Sequence, residues 1–312
     1  MPDLSEIKDL YDRPLFELLR RSHEQLCKYF SPGEIQTSRL LSVKTGGCPE
    51  DCAYCPQSAH YQTGVEKEKL LSLSEVKAAA EKAKSEGATR FCMGAAWRQV
   101  RDGDEFDRVL DMVETVKDLG LQTCCTLGMI SAKQAQRLKK AGLHAYNHNL
   151  DTSSDHYKKI ISTRDYEDRL NTLAHVRKAG ITVCTGGILG MGESDEDRIT
   201  FLRTLASLKP HPESITINKL VPIPGTPLGG QAPLSNIVVI RVISVARILM
   251  PRAVIRLSAG RLSMTPTEQF IAFYAGANSI FMGEKLLTSP NPGSEEDKDL
   301  FEELGLVAKK MN

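Results

Sequence analysis

Apolar and polar positions follow two alternating patterns along most of this chain. Four times, a charged amphipathic stretch ending in glycine precedes a short apolar run: KAKSEG-ATRFCMG, TVKDLG-LQTCCTLG, LKKAG-LHAYNHNLD and VRKAG-ITVCTGGILG. Glycine after a lysine-rich last turn is typical of a helix C-terminus, because glycine readily adopts the left-handed cap conformation. The pattern therefore predicts a repeated unit of one helix followed by one strand.

Extended along the chain, this pattern predicts eight strands separated by seven helices. The strands are predicted near residues 38–44, 89–95, 121–127, 144–150, 181–188, 214–221, 253–258 and 279–283. The helices are predicted near residues 74–86, 104–119, 131–141, 166–179, 195–209, 235–250 and 266–277. This alternation predicts an α/β fold with a parallel sheet closed into a (β/α)8 barrel of the TIM type. A doubly wound open sheet is the alternative, but no GxGxxG follows the first strand.

The two ends of the chain differ from the repeat. Residues 1–35 predict an N-terminal helical extension, and residues 285–312 predict a polar, mobile tail that ends in a short helix. No linker-like stretch interrupts the sequence between them. The prediction is therefore a single domain that spans residues 1–312.

Strand parity predicts which side chains enter the barrel. Successive strand residues face opposite ways, and helices outside the barrel require the apolar set to point outward. The inward set is then polar or sulfur-bearing: Arg90, Cys92, Gln122, Cys124, Thr126, Asn147, Asn149, Asp151, Thr182, Cys184, Gly186, Thr216, Asn218, Arg256 and Ser258. Unpaired polar groups in a lumen are costly, so we expect a cofactor and substrate cavity rather than a purely structural barrel.

The stretch CPEDCAYC places Cys48, Cys52 and Cys55 in the loop after the first strand. Active sites of such barrels lie at this C-terminal face. Three thiolates can hold three corners of a cubane iron–sulfur cluster and leave the fourth iron open for a ligand that comes and goes. The alternative is a structural zinc site completed by a distant residue such as His60, although zinc sites usually offer paired ligands.

A second set of cysteines has inward parity on three separate strands. Cys92, Cys124 and Cys184 would lie at similar depth, with Arg256 as a neighbour. A lone buried cysteine often behaves as a small apolar residue, but three on polar faces indicate a second metal site deep in the barrel. Cys27 on a terminal helix and the outward-facing Cys125 are expected to be packing residues.

Composition limits the partners and the compartment. The chain has 312 residues, 41% apolar and 25% charged, with a formal net charge of +1. That charge gives no general attraction to nucleic acid or membrane, and no apolar run approaches the ~20 residues of a membrane span. The acidic, amphipathic N-terminus lacks a signal-peptide core, so a cytoplasmic protein with reduced thiols is expected.

The CxxxCxxC loop after the first strand of a barrel resembles the radical S-adenosylmethionine superfamily. The resemblance implies a [4Fe–4S] cluster on Cys48, Cys52 and Cys55 that reductively cleaves S-adenosylmethionine to a 5′-deoxyadenosyl radical. It also implies that Tyr54 lies against the adenine, and it aligns GGILGMGE with the superfamily's glycine-bearing cofactor segment. The residues matched to that segment are Gly186, Gly187, Ile188, Gly190 and Glu193.

Within that superfamily the chain is similar to the biotin synthase family over roughly residues 5 to 310. The matching stretches are TGGCPEDCAYCPQSAHYQTGV, RFCMGAAWR, YNHNLDTS, GGILGMGE, IRLSAGR and GANSIFMGEKLLTSPNP. The resemblance implies sulfur insertion into dethiobiotin, with a sulfur-donating [2Fe–2S] cluster on Cys92, Cys124, Cys184 and Arg256. It also implies substrate contacts from Asn147, Asn149 and Asn218, and adenosylmethionine contacts from Asn149 and Asp151.

The same resemblance implies partners: a flavodoxin-type electron donor, iron–sulfur assembly proteins and a second copy of the chain in a homodimer. Two other functions stay open at this point. A related radical enzyme could act on another substrate, with its second cluster serving electron transfer or structure. A metal carrier without catalysis would bind metal without labile sulfide, and would leave the polar lumen unexplained.

Overall fold

The computed structural model describes residues 3–310, and eight parallel strands close into a barrel in chain order. β1 is hydrogen-bonded to both β2 and β8, which completes the ring. The strands are β1 Glu34–Lys44, β2 Arg90–Ala95, β3 Gln122–Thr126, β4 Ala145–Asn147, β5 Thr182–Leu189, β6 Ser214–Lys219, β7 Val254–Leu257 and β8 Ser279–Met282. The predicted (β/α)8 barrel is confirmed, although β4 is shorter than predicted and β1 begins earlier.

Helices surround the barrel as the repeat predicts. They are α1 Leu4–Tyr11, α2 Leu15–Tyr29, α3 Leu73–Ser85, α4 Asp104–Asp118, α5 Ala132–Lys140, α6 Ser154–Ile160, α7 Tyr166–Lys178, α8 Asp195–Ser207, α9 Asn236–Leu249, α10 Pro266–Tyr274 and α11 Ser294–Leu304. The glycines of the repeat have positive φ just after α3, α4, α5 and α7: Gly87, Gly120, Gly142 and Gly180. Between residues 3 and 310, no helix combines the length and apolar character needed to cross a membrane.

One helix was not predicted from the sequence. α6 begins at the N-cap Ser153, whose side chain accepts a hydrogen bond from the His156 amide, and it ends within two turns. A helix this short carries too few apolar positions to show a clear period. It buries Tyr157 and Ile160 beside the loop that holds the first three cysteines.

The main core lies between the barrel and the helices. Outward strand residues such as Phe91, Tyr146, Ile215 and Ile255 are fully buried there against the helices. Ile181 and Val183, assigned outward by parity, belong to the same core. The apolar set therefore faces the helices, and the polar set is left for the lumen.

The C-terminal segment packs more closely than a mobile tail. β9 (Val307–Ala308) pairs in parallel with the start of β1 outside the barrel. Within α11, the buried Asp297 forms an ion pair with the buried Arg261. The run PNPGSEEDKD is polar, but tertiary contacts that its composition does not reveal hold it against the barrel.

The strand registers place inward side chains on defined levels. Following the registers from Ser42 around the barrel returns to β1 at Glu34, eight residues lower, which is the stagger of a TIM-type barrel. Each level therefore takes one inward residue from every second strand. One such level consists of Ser38, Cys124, Cys184 and Arg256. The level above it consists of Cys92, Asn147, Thr216 and Phe281.

Candidate active site

A cavity of about 330 Å³ opens at the C-terminal face of the barrel and continues into the lumen. Its volume lies within the range of small-molecule sites. The mouth is lined by the three cysteines of the first loop, and the deep end by Cys92, Cys124 and Arg256. Between them the wall is polar, with Asn147, Asn149, Asp151, Thr216 and Asn218.

The three-cysteine loop is closed by its own backbone. The Cys48 amide donates to the Gln57 carbonyl at 2.9 Å, and the Cys55 amide donates to the Cys52 carbonyl at 2.9 Å. The Ala53 amide donates to the Ile160 carbonyl at the end of α6, also at 2.9 Å. These backbone hydrogen bonds fix the course of the loop that carries the three thiols at the cavity mouth.

Two acidic side chains inside the loop anchor it to the segment after α6. Asp51 accepts hydrogen bonds from the backbone amides of Ser162 and Thr163 at 2.9 and 3.2 Å, and from both of their hydroxyls. Burial opposes ionisation of Asp51, but these donors outweigh it and lower the pKa of the carboxyl to about 2. Glu50 is buried, accepts from the Thr163 hydroxyl, and lies 3.3 Å from Nε of Arg98.

The thiols of the loop suit a positively charged partner. Burial raises the pKa values of Cys48 and Cys52, and raises the pKa of Cys55 to about 11. Cys52 is buried and the other two thiols are half-buried, and thiols whose ionisation is disfavoured in this way become good ligands once a metal supplies positive charge. In residues 3–310 no three His, Cys, Asp or Glu side chains are already grouped around a single-ion site. His60, the fourth ligand of the zinc alternative, instead places Nε2 3.1 Å from the Pro49 carbonyl oxygen.

Tyr54, Asp151 and Arg169 form one contact group beside the loop. The Tyr54 hydroxyl donates to Oδ2 of Asp151 at 2.9 Å, and Nη2 of Arg169 donates to the same oxygen at 2.5 Å. Asp151 has φ of +67°, which an L-residue other than glycine seldom adopts. Asp151 is therefore held in a strained conformation by a buried cation, at the point where the chain turns away from β4.

Packing and loop hydrogen bonds explain the glycines and Glu193 of the GGILGMGE segment, residues 186–193. A Cβ on Gly186 would lie 1.9 Å from the Thr216 carbonyl oxygen, and one on Gly187 would lie 2.5 Å from that of Asp151. The carboxylate of Glu193 accepts from the amides of Gly190 and Met191 at 2.7 to 3.1 Å, so it stabilises the loop from within. Of the five residues predicted to contact adenosylmethionine here, only Ile188 lines the cavity. The adenosylmethionine contacts of all five residues remain predictions.

The second cysteine set converges as parity predicts. Cys124 and Cys184 share a level with Arg256, and Cys92 lies one level higher beside Cys124. The thiols of Cys92 and Cys124 share a hydrogen bond. This bond lowers the pKa of Cys92, as do the positive charges of Arg256 and Arg90, and it raises the pKa of Cys124. Cys184 is fully buried, and its Sγ accepts from Nδ2 of Asn147 at 3.3 Å.

Arg256 is oriented by uncharged groups. Its Nε donates to the Ser279 hydroxyl at 3.1 Å and its Nη2 donates to the Ser38 hydroxyl at 3.0 Å. The guanidinium also lies over the Phe281 ring, 4.4 Å from the centroid. A buried guanidinium without a carboxylate partner among residues 3–310 suits an anionic group at the deep end of the cavity.

The remaining cysteines lie away from this chemistry, whereas His148 contributes to the cavity wall. Cys125 is fully buried in the core outside the barrel, as expected for a packing residue. Cys27 was also expected to pack, but it is exposed on α2, with its Sγ 3.4 Å from Nε2 of His23, so that prediction was wrong. His148 is buried, and desolvation lowers its pKa well below the ordinary value.

Sequence reasoning missed several residues around the site. Arg169, which holds Asp151, lies on α7, and Thr163 lies in the segment before it. An arginine on an amphipathic helix has no local signal that distinguishes it from a solvated one. Ser38 and Ser279, by contrast, have inward parity on β1 and β8 and could have been found by the same rule as the cysteines.

Comparison with known sequences agrees with this site. The model of the Radical SAM superfamily matches residues 42–205, and that of the Biotin and Thiamin Synthesis associated domain matches residues 216–307. The biotin synthase of Sorangium cellulosum is 60% identical over 297 residues, covering 95% of this chain and 85% of the relative. That of Synechococcus elongatus is 55% identical over 308 residues, covering 99% and 96%.

Solved structures agree on the fold. Methylornithine synthase (PylB) superposes with a TM-score of 0.82 at 19% identity, covering 99% of this chain and 94% of that one. HydG, a maturase of the [FeFe]-hydrogenase, superposes with a TM-score of 0.84 at 17% identity, covering 99% and 72%. At these identities the structures support the architecture alone. The sequence matches go further: this chain belongs to the biotin synthase family of the radical SAM superfamily.

Proposed function

We propose that this enzyme inserts sulfur into a dethiobiotin-like substrate and forms biotin. Its family implies an iron–sulfur cluster, S-adenosylmethionine and a small-molecule substrate. The proposal goes further and assigns one [4Fe–4S] cluster to Cys48, Cys52 and Cys55, and one [2Fe–2S] cluster to Cys92, Cys124, Cys184 and Arg256. When bound, these groups would supply the electron that cleaves adenosylmethionine and the sulfur atom that enters the product.

One observation carries the proposal: the three thiols of the first loop line one end of the cavity and Cys92 and Cys124 line the other, with amide side chains between them. A substrate held on those amides would have an adenosylmethionine site on its outer side and a sulfur-bearing site on its inner side. The three thiols at the mouth could supply thiolate ligands, and Arg256 offers cationic donors at the deep end. The residues present therefore fit both groups.

The three asparagines have free hydrogen-bonding capacity that suits a ureido ring. Asn149 uses its Oδ1 to accept from Asn147, so both of its Nδ2 hydrogens are available. Oδ1 of Asn147 accepts only from Thr126, and Oδ1 of Asn218 accepts only from the Ala259 amide, so each has a free lone pair. A ureido group needs a donor to its carbonyl and acceptors for two N–H groups, which is this remaining set.

Tyr54 and Asp151 would position the adenosylmethionine. Arg169 holds the Asp151 carboxyl in place by a hydrogen bond, and the Tyr54 hydroxyl donates to the same oxygen from the loop. Asp151 has lone pairs left to accept from ribose hydroxyls. We also propose the remaining adenosylmethionine contacts, from Asn149, the GGILGMGE segment and Glu193, and a cytoplasmic homodimer served by a flavodoxin-type electron donor and iron–sulfur assembly proteins.

The test uses anaerobic, cluster-reconstituted protein with dethiobiotin, adenosylmethionine and a strong reductant. Mass spectrometry should detect about one biotin for every two 5′-deoxyadenosines, because two hydrogens are removed from carbon for each sulfur inserted. Cys48→Ala should abolish deoxyadenosine formation, whereas Cys184→Ala should reduce biotin far more than deoxyadenosine. Equal loss of deoxyadenosine in both variants would contradict separate roles for the two sets. Deoxyadenosine without biotin in the unaltered enzyme would favour a radical enzyme for another substrate.

A further inference from the structure

The floor of the barrel, below the deep cysteines, is polar. The strand registers place two levels there: first Arg90, Ala145, Ser214 and Ser279, and then Gln36, Gln122, Thr182 and Val254 at the N-terminal end. Barrels of this type usually fill such levels with branched apolar side chains. Here the upper floor level combines one arginine with three small residues, which leaves little apolar bulk near the axis.

Arg90 is buried at that level without a charged partner. It is 5% exposed, and its Nε and Nη2 donate to the uncharged Oε1 of Gln122 at 3.3 and 3.1 Å. Its Nη1 is buried and has no hydrogen-bond partner within the described chain. An unpaired cationic donor in the interior is costly, which indicates that a ligand completes it.

Ser214 provides a second unsatisfied group at the same level. Its hydroxyl is buried and is likewise without a partner among residues 3–310. It comes from β6, on the opposite side of the barrel from β2, so both side chains point toward the axis. Two donors without an acceptor, one of them cationic, suit a small anion. Gln122 and Thr182 below them are partly exposed, so solvent reaches this end of the barrel.

We propose that Arg90 and Ser214 bind a small monovalent anion on the floor of the barrel, directly beneath the level of Cys124, Cys184 and Arg256. The identity of the anion rests on the proposed function. Each biotin carries one sulfur atom away from the deep site, and hydrosulfide is a small monovalent anion at the oxidation level of cluster sulfide, so we assign the anion as hydrosulfide. Entry from the N-terminal face would let sulfur reach the deep site while substrate and adenosylmethionine fill the mouth.

Bromide is the first probe, because it is a small anion with a strong anomalous signal and needs no catalysis. Crystals of the full-length, cluster-containing enzyme would be soaked in bromide. An anomalous peak within hydrogen-bond distance of Nη1 of Arg90, displaced by added hydrosulfide, is expected. The absence of such a peak would overturn the proposal. So would a structure in which the deep cluster itself occupies that position and satisfies Nη1.

The second test measures uptake of radiolabelled hydrosulfide into acid-labile sulfide after one turnover. Arg90→Gln should slow uptake about tenfold at low hydrosulfide, the scale of one lost charge-assisted hydrogen bond, and Arg90→Lys should restore most of the rate. Arg101→Gln is the control, because Arg101 is exposed in the loop after β2 at the other end of the barrel. Equal uptake in Arg90→Gln and Arg101→Gln would refute the site. Biotin formed in the first turnover is measured in the same samples, so failure of the anion site is distinguishable from failure of sulfur insertion.

Discussion

Replacing Asp51 with asparagine should loosen the three-cysteine loop without removing a thiol. Asp51 accepts hydrogen bonds from the backbone amides and the hydroxyls of Ser162 and Thr163, which lie more than 110 residues further along the chain. Hydrogen bonds to a charged acceptor contribute roughly 1.5–3 kcal/mol each when buried, and solvent screening at this partly exposed site reduces the whole set to about 1–2 kcal/mol. The amide introduced by the substitution would keep one acceptor oxygen and lose the charge.

The contribution of Asp51 to stability should depend on pH. Because the pKa of Asp51 is lowered from 3.8 to about 2, its contribution is complete above pH 4 and is lost as the pH falls from about 4 to 2. The Asp51→Asn variant should lack this part of the acid dependence. It should also unfold at lower urea concentration at neutral pH, with an unchanged m-value.

The assay compares Asp51→Asn with Asp155→Asn, an exposed aspartate on the neighbouring α6. Urea unfolding followed by circular dichroism gives the free energy, and iron content with the electron paramagnetic resonance of the reduced protein reports retention of the mouth cluster. We expect Asp51→Asn to lose stability and mouth iron, and Asp155→Asn to match the unaltered protein. If Asp51→Asn retains its stability and its mouth iron, Asp51 does not anchor the loop. If adding Thr163→Val to Asp51→Asn lowers the free energy of unfolding as much as Thr163→Val does alone, the two residues do not act as a coupled unit.

Two further pairs of substitutions separate packing from chemistry. Gly186→Ala should lower the free energy of unfolding in urea by about 1–3 kcal/mol, because its Cβ would lie 1.9 Å from the Thr216 carbonyl oxygen. The control Gly230→Ala has open space around it and should leave that free energy unchanged. Similar losses in both variants would refute the close approach of β5 and β6. Cys125→Ala should keep the visible absorbance of both clusters and lose about 1–2 kcal/mol of stability, as expected for a small cavity in the core. Cys124→Ala should lose the deep cluster's absorbance, and retention of that absorbance would exclude Cys124 as a ligand.

The polar lumen shifts the source of stability to the outside of the barrel. Arginine, cysteine and asparagine side chains occupy levels where branched apolar residues are usual, and within the described chain Nη1 of Arg90 and the Ser214 hydroxyl have no hydrogen-bond partner. Such a lumen contributes little apolar burial. Stability must come from the outer core between strands and helices, where the fully buried residues concentrate.

Much of this protein follows from local patterns in its sequence. A period of two decides which face of a strand a side chain occupies, and this alone separated Cys124, facing the lumen, from the adjacent Cys125, facing the core. Glycine after a lysine-rich turn marked the ends of four helices for a similarly local reason. Both signals depend on backbone geometry within a few residues, so no tertiary information is needed to read them.

The levels of the barrel were decided only by the tertiary structure. Parity assigns Cys124, Cys184 and Arg256 to the lumen, but their common height depends on strand register and on the eight-residue stagger that closes the ring. The anchoring of Asp51 and the pairing of Asp151 with Arg169 likewise join distant segments. Such contacts are set by how the whole sheet closes and by which helices pack beside it. A sequence pattern with a period of two or four residues cannot predict these long-range contacts.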